Sequence, residues 1–122
     1  MSTPTTTPLD PPRPGYAIGY LTDVEVNDEL VEYMVSVEET MREFGGRWLV
    51  HGTTPEYREG DLTGDIVIIG FPDIDSTRGW YESDAYQAVI ELRTRNSRSH
   101  IALLEGVPPT YSTRDTIAGL TG

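Results

Sequence analysis

Apolar residues recur along the middle of the chain in two rhythms. Across residues 27–44, Leu30, Tyr33, Met34, Val37, Met41 and Phe44 fall at helical spacing, which aligns them on one helix face. Asn27 stands where an N-cap is needed, and Asp28 and Glu29 occupy the electropositive first turn. Gly45 and Gly46 end the run, because glycine accepts the left-handed backbone of a C-terminal cap. The second rhythm is short and β-rich. Residues 16–24, 47–52, 65–71 and 99–106 carry branched or aromatic side chains between turn formers, and each predicts a strand. A second helical stretch is expected over 74–96. Gly79 weakens its first half. Ser83 can cap a fresh start at Asp84, so a break is expected there.

The order β-α-β-β-α-β predicts an α+β sandwich of the ferredoxin-like type, with a four-stranded antiparallel sheet and two helices on one face. Residues 53–64 are polar and read as a loop. Ile66, Val67, Ile68 and Ile69 are apolar on both faces of their strand, yet the helices cover only one. The open face is therefore expected to pack against a second copy, giving a homodimer through the sheet. Residues 1–15 hold five Pro and four Thr and are expected to form a flexible tail. Residues 16–106 form the folded domain. Residues 107–122 open on Val107-Pro108-Pro109, turn polar, and read as a C-terminal extension.

The net charge of -11 narrows the partners. A nucleic-acid surface needs clustered cations. The nine basic residues are all Arg and form no run, so no nucleic-acid partner is expected. Arg93, Arg95 and Arg98 sit close together, at the predicted end of a helix where the macrodipole favours cations. No run is long and apolar enough to span a membrane. The first 15 residues lack the apolar stretch of a secretory leader, and cysteine is absent. Both features point to the cytoplasm.

Several separate motifs then resemble one family. They include Glu32-Tyr33, Phe44-Gly45-Gly46-Arg47-Trp48-Leu49-Val50 and Glu59-Gly60-Asp61. They continue through Val67-Ile68-Ile69-Gly70-Phe71-Pro72, Trp80-Tyr81-Glu82-Ser83-Asp84-Ala85-Tyr86-Gln87, Leu92-Arg93 and Leu104-Glu105-Gly106. Together they resemble the DUF1330 family, within the dimeric α/β-barrel group of ferredoxin-like proteins. The resemblance implies a homodimer with a cleft between helices and sheet in each subunit. Related groups include cofactor-free monooxygenases, isomerases, and enzymes of aromatic or polyketide-like substrates. The chain departs from the family pattern at His51-Gly52-Thr53, where Arg-Gly-Gly is usual, and at Gly70, where an acidic residue is usual.

His51 is the leading candidate for acid–base chemistry, since imidazole titrates near neutrality. Strict strand alternation places Arg47, Leu49 and His51 on one face, so Arg47 is expected to hold an oxyanion while His51 moves a proton. Tyr33 is the third candidate catalytic residue, on the core face of the first helix. Trp80, Tyr81, Tyr86 and Arg93 are candidate substrate-binding residues: the aromatics to stack on a planar molecule, Arg93 to pair with an anionic group. The bland alternative makes the aromatics core or dimer contacts and has Arg93 hold the fold through carbonyls or Glu pairs. His51 and His100 lack the spacing of a ligand pair, so no metal is expected. No Gly-rich phosphate loop is present, and no cofactor is expected. The reading is a small-molecule enzyme working by proton transfer, of the isomerase, cyclase or cofactor-free monooxygenase type. The alternative is a non-catalytic metabolite-binding or accessory protein on the same fold.

Overall fold

The structure is a computed structural model, and it describes residues 12–121. The elements run β1 (Gly15–Thr22), α1 (Asp28–Arg42), β2 (Arg47–Val50), β3 (Asp65–Phe71), α2 (Ile74–Glu82), α3 (Asp84–Gln87), α4 (Ile90–Thr94), β4 (Arg98–Glu105) and α5 (Thr113–Thr121). The strands form one antiparallel sheet in the order β2-β3-β1-β4. This is the predicted ferredoxin-like topology. Most of the Thr/Pro-rich tail, residues 1–11, lies outside the described residues.

Local chemistry explains the helix boundaries. The Asn27 side-chain oxygen accepts the Leu30 N–H at 3.0 Å, the N-cap bond its position predicts. At the other end Gly45 has φ 73°, and the Gly46 N–H reaches the Met41 carbonyl at 2.8 Å. Asp73 caps α2 by accepting the Ser76 N–H at 2.6 Å. Ser83 breaks the next stretch: its hydroxyl donates to the Trp80 carbonyl at 2.7 Å and accepts the Tyr86 N–H at 3.2 Å. A further interruption falls between α3 and α4, at Ala88 and Val89, where no side chain caps the new start. The expected single second helix, broken once, is therefore three short pieces. Val89 has no capping side chain and no glycine beside it, so the local sequence gives no signal for this second break.

The core lies between the helices and one sheet face. Ala17, Val37, Met41, Ile69, Phe71, Trp80 and Tyr86 form it. Arg95 ties α4 to α1 by reaching Glu29 at 2.6 Å, and it also pairs with Glu91 at 3.1 Å. The opposite sheet face is apolar and partly open. Ile18 stands across from Ile68 and Ala102, and Tyr20 across from Ile66 and His100. Leu104 on this face is 50% exposed. The extension is not wholly irregular: Pro108 is buried, and α5 follows with the side chains of residues 113–120 exposed.

Candidate functional site

A cavity of about 310 Å3 lies between α1 and the helix-facing side of the sheet. Leu30 and Met34 from α1, Val67 from β3 and Ile101 from β4 make its walls apolar. Gly19 supplies room on β1: a Cβ there would come within 2.9 Å of Val67 and 3.2 Å of Ile101. Tyr33 from α1, Tyr86 from α3 and Arg93 from α4 add polar groups on the helix side, and His51, Thr53, Thr54 and Asp65 add others at the sheet edge.

The Tyr33 and Tyr86 hydroxyls are 2.8 Å apart. One O–H is used inside this pair, which leaves the other O–H to donate elsewhere. Burial holds both phenols above the ordinary tyrosine range, and for Tyr33 the neighbouring Tyr86 adds to the effect. Near neutrality both are therefore neutral donors and not bases. Arg93 is only 4% exposed, and its guanidinium lies 5.8 Å from the Tyr33 ring centroid. One terminal nitrogen donates to the Ser99 hydroxyl. Its Nε meets no acceptor, and Arg93 forms no ion pair among the described residues. The guanidinium also hydrogen-bonds the Tyr33 and Tyr86 hydroxyls and stays charged, so a cation stands behind the phenol pair.

His51 and Trp48 stack, with ring centroids 4.1 Å apart and planes at 21°. Both line the cavity, and His51 is exposed. The alternation argument placed His51 with Arg47, and this is corrected. Arg47 is opposite Gly70, Trp48 opposite Ile69, and Val50 opposite Ile68. Leu49 is thus an extra residue, a β-bulge that breaks the two-residue period. Arg47 instead lines a second recess of about 360 Å3 with Tyr16, Leu49 and Gly70. Arg47 and His51 do not converge.

The aromatics around the helix break divide into two rows. Trp80 and Tyr86 line the cavity, with centroids 4.2 Å apart. The Trp80 indole N–H is taken by the Thr40 hydroxyl at 3.1 Å, so Trp80 offers a ligand only its ring. Tyr81 stands behind, edge-on to Trp80 at 6.2 Å, and does not line the cavity. Ser83 is a cap, as its sequence position implies. His100 is exposed on β4 beside Tyr20. Trp48 and Gly19 were not singled out from sequence as site residues. Strand alternation carries the only signal for Trp48, since it sets Trp48 opposite in facing to Arg47. Among the described residues, no three His, Asp or Glu side chains converge as metal ligands do. No helix among them is long and apolar enough to cross a membrane.

Solved structures share the fold at low sequence identity. One is a protein of unknown function from Rhodopseudomonas palustris, with TM-score 0.60, 14% identity, and coverage of 82% of this chain and 87% of that one. Another is a dimeric ferredoxin-like protein of unknown function from Jannaschia sp. CCS1, with TM-score 0.57, 14% identity, and coverage of 75% and 97%. A third is SnoaB, a cofactor-independent oxygenase from Streptomyces nogalater, with TM-score 0.50, 11% identity, and coverage of 83% and 99%. No curated protein matches the sequence significantly. The model of a domain of unknown function, DUF1330, matches residues 14–107, so this chain belongs to the DUF1330 family.

Proposed function

We infer that the cavity takes a small, largely apolar molecule carrying a carbonyl, enol or carboxylate oxygen, and that the protein moves a proton on it without a cofactor. The observation that carries this reading is the meeting of half-buried Tyr33 with buried Tyr86 and Arg93 beside apolar walls. The free phenol O–H and the Arg93 cation stabilise negative charge on the ligand oxygen. Trp80 and Trp48 offer ring faces to a planar molecule. His51 is the proton carrier, taking a proton from the carbon next to the ligand carbonyl. In a ligand with a double bond one carbon further on, the dienolate so formed is held by Arg93 and the phenol pair, and His51 returns its proton to the γ-carbon, which moves the double bond and completes an isomerisation. The enzyme works as a homodimer through the open sheet face, which places Arg47 at the subunit interface and not in the cavity. The dimeric state of the Jannaschia protein and the cofactor-independent oxygenation ascribed to SnoaB, on the same fold, are in keeping with this reading.

A metabolite-binding role without catalysis is the second reading. The neutral phenols favour it, because they donate hydrogen bonds but take no protons near neutral pH.

One experiment separates the two. 2-Tetralone is a bicyclic ketone with exchangeable hydrogens next to its carbonyl. Proton NMR in deuterated water should show the protein accelerating exchange at that carbon, and His51→Ala should abolish the acceleration. The chain has two Trp, and both line the cavity, so tryptophan fluorescence reports occupancy independently. Saturable quenching without exchange would establish the binding role. Neither signal would remove both readings.

A further inference from the structure

We propose that Gly70 is the positioning residue that turns His51 into the cavity. The proposal rests on the reading of His51 given above, but its structural half is tested separately. Unbroken alternation after Arg47 would send His51 to the open sheet face. The bulge at Leu49 reverses this, because one extra residue moves every later side chain to the other face.

A bulge leaves its extra residue without a ladder partner, so something must favour it over the regular pairing. Leu49 supplies that. Its side chain lies over β3 where residue 70 has no side chain. A Cβ on Gly70 would stand 2.8 Å from Leu49 Cδ1, 3.1 Å from Cγ and 3.3 Å from Cδ2. Leu49 therefore fills the room above Gly70, and it buries part of its surface there while staying 38% exposed.

Little else fixes the choice of face. β2 ends at Val50, one residue before His51. Gly52 follows with φ 75° and open space around its α-carbon. β2 is short at this point, so the seat of Leu49 bears directly on where His51 goes. Once the bulge forms, His51 lands on the face of Trp48 and stacks on it.

The test uses the full chain and reads the nuclear Overhauser contact between the Trp48 indole and the His51 imidazole. The wild-type protein should show it. Gly70→Val should lose it, while the Trp80–Tyr86 and Phe71–Trp80 ring contacts persist as proof of folding. Leu49→Ala, which removes the side chain that fills this room, should weaken the contact as well. If Gly70→Val does not fold, Gly70→Ala carries the same comparison. Persistence of the contact in the residue-70 variant or in Leu49→Ala overturns the proposal. 2-Tetralone exchange is followed on the same samples. Exchange that survives loss of the stacking contact refutes the role of His51 in catalysis and leaves the role of Gly70 standing.

Discussion

The hydroxyls of Tyr33 and Tyr86 meet at 2.8 Å although 53 positions separate them in sequence. The pair joins α1 to α3 at the edge of the cavity. Tyr33→Phe or Tyr86→Phe removes this hydrogen bond and leaves the partner hydroxyl to Arg93 alone, at an expected cost of about 1 kcal/mol each. The double variant removes both groups together and should lose less than the sum of the single losses. Urea melts of the four proteins measure this coupling. Strict additivity would show that the two hydroxyls do not support each other.

The same burial sets an alkaline limit to stability. A free tyrosine ionises near pH 10.0, and both buried phenols ionise above that. Below the unfolded value both states keep their protons, and stability does not depend on these groups. Above it the unfolded chain loses protons that the folded chain retains. Stability then falls by about 1.4 kcal/mol per pH unit for each such tyrosine. Chemical denaturation between pH 9 and pH 11 should show the downward slope, and the Tyr33→Phe/Tyr86→Phe protein should show a flatter one. An equal slope in both would assign the alkaline loss to other groups.

Arg93 distinguishes a structural cation from a functional one. It is buried with no carboxylate partner, so its desolvation is offset only in part. Arg93→Met keeps the side-chain length and removes the charge. Thermal stability should hold or rise. Affinity for 1-hydroxy-2-naphthoate should fall roughly tenfold, the equivalent of one charge-assisted hydrogen bond. Tryptophan fluorescence titration measures the affinity. A large drop in stability with unchanged affinity would make Arg93 a scaffold residue.

The open sheet face carries the proposed dimer. Ile68 sits at its centre, across from Ile18. A carboxylate there is tolerated in water but not in an apolar interface. Ile68→Glu should therefore give a folded monomer at concentrations where the wild-type chain is a dimer, by analytical ultracentrifugation. A monomeric wild-type protein would remove the homodimer from the proposed function.

The sequence by itself determined the elements whose signals are local. The Leu30-to-Phe44 face, the Asn27 cap and the Gly45 stop each act within a few residues, and α1 forms where they place it. The strands and the Ser83 break follow from equally short-range chemistry, and the β-α-β-β-α-β order then leaves few topologies. The family motifs lie in this same stretch. The facing of His51 was decided elsewhere. Alternation assumes an intact ladder, whereas the ladder at Leu49 depends on the missing side chain of Gly70 on the neighbouring strand. The polar end of the cavity has the same origin. Tyr33, Tyr86 and Arg93 belong to three helices, and only the packing of α1, α3 and α4 brings them together. Helix caps and periodicity are settled by neighbours in the chain. The direction of one strand-end side chain and the meeting of two hydroxyls are settled by neighbours in space.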